Sequence, residues 1–381
     1  MVSRWAMARQ SSPRDSFNFL DLKPTAAKIT GRRLPASSII ARRARQTRLP
    51  GMIVLRITAS TAIGVAAAVI ATFSWGLNFI VPFMLHGYSI FDVAIVQAVA
   101  SAVLAILYLA TKSRVLASFK RLDYWVAFNL GLLGYATYYL TLEGAAIYAG
   151  PVIAPAFLAL VPIVMAGTAN FLQPVLPWRS LILPLTLGFA GLVLVQTNFS
   201  SGVADAQPRG LWLGIMLAIT AVVLWTSFGL LNQAALNKRP DVHVGVWSAL
   251  ILVGAGMAMV AFLPIGLWLN VFQLPTMGFG WSAASAVYLW GGGLGVFSSV
   301  GGAVAWTIAS KRLPAVLSGQ LIVMEPFFGT VLGLLVHRRW PVLTETVGMV
   351  LLLAGVMVAV NAFGKASHGL HGPPAAVGAD D

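Results

Sequence analysis

The chain contains no cysteine in 381 residues. Disulfides, thiolate nucleophiles and cysteine-built metal sites are thereby excluded. Charge is the next scarcity. Asp, Glu, Lys and Arg make up only 9% of the residues, against about 25% in a soluble globular protein. So few charges cannot cover a soluble surface of this size. A 58% apolar composition and a mean hydropathy of +0.84 make lipid the expected solvent. Histidine is also sparse, and His86, His243, His337, His368 and His371 all fall in predicted loops or tails. None sits at helical spacing from an acid, so neither a metal site nor a cofactor is expected.

The net charge of +14 would suggest a nucleic-acid partner if it were spread evenly. It is not. The first 50 residues hold eleven Lys and Arg against Asp15 and Asp21. Residues 1–59 read as a basic tail, rich in Ser, Pro and Arg and too poor in large apolar residues to fold alone. Three readings of it compete: an arm drawn to anionic lipid, an organellar targeting segment, and a start site placed upstream of the natural opening Met52-Ile53-Val54-Leu55-Arg56. Residues 364–381 form a second low-complexity tail, rich in Gly, Pro and Ala.

A spanning helix needs about 20 apolar residues. Ten segments qualify: 63–85, 90–110, 124–145, 152–171, 181–197, 211–234, 244–267, 281–308, 315–336 and 343–363. The expectation is an all-α membrane protein of ten transmembrane helices. Positive loops orient it. With the N-terminus inside, the inner side holds eleven cations from Arg56 onward. The outer loops hold only Arg209, Arg338 and Arg339. Both termini are then cytoplasmic.

The chain repeats itself. Pro162 precedes Ala190-Gly191 by 28 positions, and Pro326 precedes Ala354-Gly355 by the same interval. Ala68-Ile70-Ala71-Trp75 returns 150 positions later as Ala218-Ile219-Ala221-Trp225, with one member shifted. A duplicated five-helix block accounts for both, at residues 60–198 and 210–363. Five helices is an odd number, so the second block enters the membrane inverted.

Few groups within these spans carry chemistry. Glu143 and Glu325 fall clearly inside predicted helices, and no Lys or Arg lies centrally in any span. An intramembrane acid is a default candidate for a substrate or proton site. A buried acid hydrogen-bonded to a neighbouring helix is the plainer alternative for Glu325, and snorkelling toward the interface is the plainer one for Glu143. Pro326 is expected to kink its helix by freeing the carbonyl of Ile322, and Pro162 by freeing that of Leu158. Freed carbonyls at membrane depth belong beside protein or a wet cavity. Asn78, Gln97, Trp75, Tyr138, Tyr139, Trp225, Trp290 and Trp306 are the remaining polar or aromatic candidates. They would form an aromatic cage for a planar or cationic ligand, or else ordinary core and interface residues. The run Gly291-Gly292-Gly293-Leu294-Gly295 is not a nucleotide loop, since no strand precedes it. Helix packing explains it better.

These features resemble the EamA-type branch of the drug/metabolite transporter superfamily over roughly residues 62–363. The matching motifs are Trp75-Gly76-Leu77-Asn78-Phe79, Pro162, Glu325-Pro326, Leu353–Val356 and, more loosely, Phe189–Leu192. The resemblance implies an inverted-repeat carrier with a central cavity, exporting small metabolites, amino acids or drug-like compounds from a bacterial inner membrane. The expected partners are a small-molecule substrate and the bilayer, with a homodimer left open. Two departures stand out. The turns Phe171-Leu172-Gln173-Pro174 and His337-Arg338-Arg339-Trp340 lack the acid of the family's Gly-Glu-Arg-like loop, and Gln97 stands where the family often has Arg. Substrate movement is expected at a midplane site lined by the first, third, fourth, eighth and ninth helices. The competing classes are a non-transporting scaffold or receptor and a membrane-embedded enzyme. The latter is disfavoured because no nucleophile–base pair is present.

Overall fold

The computed structural model describes residues 59–85, 87–149, 157, 160–199 and 210–369. The basic tail, the C-terminal tail beyond 369, Leu158 and most of the first half of the expected fourth helix lie outside the described residues. The described residues contain no strand.

The helices are α1 (Ala59–Gly76), α2 (Ile90–Ala110), α3 (Arg121–Gly131), α4 (Tyr138–Ala149), α5 (Val161–Leu172), α6 (Trp178–Phe199) and α7 (Leu211–Lys238). They continue with α8 (Val244–Trp268), α9 (Trp281–Leu294), α10 (Gly302–Arg312), α11 (Ala315–Leu321), α12 (Met324–Val336) and α13 (Leu343–Gly369). A 3₁₀ stretch, Leu77–Phe83, prolongs α1. Two π turns interrupt otherwise continuous helices: Leu132–Thr137 joins α3 to α4, and Gly295–Gly301 joins α9 to α10.

Among the described residues, eight helical segments are long and apolar enough to cross a membrane. The expected third helix is present as α3, π turn and α4. Of the expected fourth, the described helix is α5, 12 residues long. This is a multi-pass integral membrane protein whose described residues establish eight candidate spans rather than ten.

Between helices in lipid there is little hydrophobic force, and close packing of small residues takes over. α6 and α13 pair through glycines: Gly191 lies against the backbone of Gly348 and Leu352, while Gly355 lies against Pro184 and Gly188. α2 packs on α8 and α9, and α8 packs in turn on α3. α1 packs on α10 and α12, while α7 packs on α4 and α5. At the entry to each π turn a glycine permits backbone contact. Gly131 meets Ile251 and Ala255 of α8, and Gly295 meets Gln97 and Ser101 of α2.

The ninth expected helix differs from its expectation in one respect. It is broken rather than merely kinked, with α11 and α12 separated at Ile322–Val323. The Ile322 carbonyl is not left free, because the Glu325 N–H donates to it at 2.9 Å. Pro326, whose missing N–H needs no partner in a first helical turn, sits in the first turn of α12. Pro162 holds the corresponding place at the start of α5.

Candidate functional site

Both π turns border one cavity. It is a cavity of about 60 Å³ between α2, α4, α8 and the segments that flank them, lined by Tyr135 and Ala136 of the first π turn and Ser299 of the second. A π turn carries more residues per turn than an α-helix and recurs at functional sites. Here each one presents a polar side chain to the same space. Asn78, Gln97, Ser101, Tyr139 and Glu143 complete the polar lining, and Val93, Leu252, Met259 and Leu294 are among its apolar members. Among the described residues, no Lys, Arg or His lines it.

The second π turn is tied to the N-terminal helices by its two serines. Asn78 Nδ2 donates to Ser298 Oγ at 2.8 Å and also to the Trp75 carbonyl at 2.9 Å. Gln97 Nε2 donates to Ser299 Oγ at 3.1 Å. Polar links therefore tie the π turn both to the end of α1 and to α2. Glu143 stands one turn beyond Tyr139 and has no hydrogen-bond or ion-pair partner among the described residues.

Beside the cavity lies an aromatic cluster. The Trp75 and Trp225 rings meet edge to face at 5.1 Å, Trp75 and Trp306 at 5.3 Å, and Tyr138 and Trp225 at 4.8 Å. All four rings are buried. They fill one another's faces in the main core, and none of them lines the cavity. Tyr139 bridges the two regions, contacting Tyr138 at 5.5 Å while lining the cavity. Trp290 lies apart from the cluster, packed with Val81, Val93 and Val287. Glu325 is outside the cavity lining, in the first turn of α12, yet acts electrostatically on both Tyr138 and Tyr139.

With this arrangement in hand, similarity to known proteins can be placed. Residues 212–361 match the EamA-like transporter family. The inner membrane protein YtfF of Escherichia coli (strain K12) is 30% identical over 307 residues, covering 78% of this chain and 95% of YtfF. The chain belongs to the EamA-like transporter family. A crystal structure that is 18% identical, with a TM-score of 0.59, covers 79% of this chain and 96% of its own, and so shares the fold.

In this EamA-like protein the second and seventh expected helices (α2 and α8) line the cavity, whereas no described residue of the fourth or ninth does. The sequence reading named Asn78, Gln97, Tyr139 and Glu143 but missed Tyr135, Ser101, Ser298 and Ser299. The signal for Ser298 and Ser299 was the glycine-rich stretch that surrounds them, which permits the π turn; Ser101 had none. Also missed was Asp92, fully buried at the start of α2. Its carboxylate accepts the N–H groups of Ser89, Gln273 and Leu274 at 2.8–3.1 Å, pinning the loop between α8 and α9. The acid absent from the turn at 337–340 is supplied from further along the chain. Glu345 takes a two-pronged hydrogen bond from Arg339 at 2.6 and 2.8 Å. That hydrogen bond raises the pKa of Arg339.

Proposed function

We propose that this EamA-like protein is a secondary transporter that exports small metabolites, amino acids or drug-like compounds by alternating access. The observation that carries the proposal is a largely apolar cavity that holds an unpaired acid and two amides, bordered from two sides by π turns. Irregular backbone at membrane depth is tolerated where it lines a cavity, and interrupted helices around a site are a construction of secondary transporters.

The ten-helix, inverted-repeat architecture belongs to the same proposal. Gly131 and Gly295 are 164 positions apart, the interval that separates Pro162 from Pro326. Their backbone contacts, Ile251 with Ala255 and Gln97 with Ser101, are each related by 154 positions. Trp75 and Trp225, 150 positions apart, meet ring to ring. α1 packs on α10 and α12 as α7 packs on α4 and α5. These matched contacts support two five-helix halves related by a pseudo-twofold axis. YtfF is an inner membrane protein by name, and the inner membrane is the location proposed here, with both termini in the cytoplasm.

The test is purified protein in liposomes, screened for uptake of amino acids, aromatic cations and nucleosides with and without a pH gradient. Protein-dependent uptake of at least one solute is expected. Folded protein that moves none of them would favour a non-transporting scaffold.

A further inference from the structure

We infer that the cavity selects ligands carrying a protonated amine on an apolar or aromatic body. The inference rests on the carrier proposal above and names the chemistry of its substrate.

The polar groups of the cavity are sorted by hydrogen-bonding sense. Two side-chain amides line it, and each would ordinarily offer both donors and an acceptor. Three of their four N–H donors are engaged within the protein. Asn78 Nδ2 is held by Trp75 and Ser298, and Gln97 Nε2 by Ser299. Neither Asn78 Oδ1 nor Gln97 Oε1 has a partner among the described residues. The Glu143 carboxylate lines the same space without a partner. What remains for a ligand includes three acceptors, two amide oxygens and a carboxylate, beside one Gln97 N–H and the Tyr135 and Ser299 hydroxyls.

Charge gives the same direction. Among the described residues the lining has one acid and no Lys, Arg or His. An anionic ligand would be desolvated with nothing to pair it, and an unpaired buried charge is heavily penalised. An ammonium group brings three donors and no acceptor, so it fits three acceptors from three helical segments. The Tyr135 and Tyr139 rings line the same space and attract a cation through their faces. Met259, Leu252, Val93 and Leu294 supply the apolar wall for the rest of the molecule, and Met adapts its shape to varied bodies.

Three probes with the same carbon frame separate the alternatives: phenethylamine, 2-phenylethanol and phenylacetate, which are cationic, neutral and anionic near neutral pH. Binding is measured on the purified full chain by calorimetry and by thermal stabilisation. Phenethylamine should bind at least roughly tenfold more tightly than either other probe, the effect of one charge-assisted hydrogen bond. Glu143→Gln should erase most of that preference, weakening phenethylamine binding several-fold more than 2-phenylethanol binding. The inference is overturned if wild-type protein binds the three probes equally, prefers phenylacetate or binds none. It is also overturned if folded Glu143→Gln keeps the full preference. The wild-type comparison stands even if the variant fails to fold. Protein that moves other solutes in liposomes yet shows no amine preference would retain the carrier proposal and lose only this one.

Discussion

At the residue scale, positions that satisfy buried backbone matter more than those that look chemically active. Asp92 takes three N–H groups, two of them from a loop more than 180 positions away. Asp92→Ala would leave these donors without an acceptor in a buried place. Each such loss costs about 1–3 kcal/mol, so the variant should unfold in detergent well below the wild type. Asp92→Asn, which keeps one acceptor oxygen, should fall between. An unchanged melting temperature for Asp92→Ala would show that the loop holds itself. The glycines divide just as sharply. A Cβ added at Gly131 would strike the backbone of α8 at Ile251 and Ala255, which cannot yield as a flexible side chain can. Gly131→Ala should therefore destabilise by about 1–3 kcal/mol. At Gly292 a Cβ meets nothing within 4 Å. Gly292→Ala should be neutral or stabilise by up to about 1 kcal/mol, the helix-propensity difference. Equal effects in a thermal denaturation series would mean that close approach of α3 and α8 is unimportant.

At the scale of elements, the broken ninth helix and the π turns set what the molecule can do, and they were unequally legible in the sequence. Pro326 announces an interruption wherever it falls inside an apolar run, and α11 and α12 do separate just before it. The fate of the Ile322 carbonyl was hidden, because a 3₁₀-type bond from Glu325 recaptures it. The π turns were not legible at all. No residue type demands an extra residue per turn, and Gly131 and Gly295 make sense only once the facing helices are in place. The same limit applied to the polar candidates. Periodicity in a helix that is apolar all round does not say which polar residue meets a cavity and which meets a neighbour. Hence Trp75, Trp225 and Trp306 were grouped with Asn78 and Gln97, although the three rings pack on one another and the two amides line the cavity. The break also places Glu325 in the first turn of a half-helix, where the helix dipole favours negative charge, close enough to act on Tyr138 and Tyr139. As a proton-coupling hypothesis, Glu325→Gln should still exchange substrate across liposome membranes but lose its response to an imposed pH gradient. Gradient dependence equal to wild type would make Glu325 a structural residue and move the question to Glu143.

At the scale of the whole molecule, two clamps hold loops that the cation count places on opposite faces. Asp92 ties the α8–α9 loop to the start of α2. Across the membrane, Arg239 pairs with Asp123, donates to the Ser118 carbonyl at 3.3 Å and lies over the Phe119 ring at 4.9 Å. This joins the α7–α8 loop to the loop that precedes α3. The cavity lies toward the first of these faces, since its lining includes Ile90 at the start of α2 and Glu143 in the latter half of α4. In an alternating-access cycle the Arg239 clamp would close the inner side while the cavity faces outward. The absence of cysteine makes this testable without background. A single thiol at Ala94→Cys, in the cavity lining, should react with a membrane-impermeant maleimide added outside intact cells, and poorly in inside-out vesicles. Adding Arg239→Ala removes a partly buried ion pair worth on the order of 1 kcal/mol. That loss should shift the balance between states a few-fold toward the inward-facing one. Labelling from outside should slow, and labelling in inside-out vesicles should rise. Reaction only in inside-out vesicles in the parent protein would reverse the proposed orientation. Rates unmoved by Arg239→Ala would remove the clamp from the transport cycle.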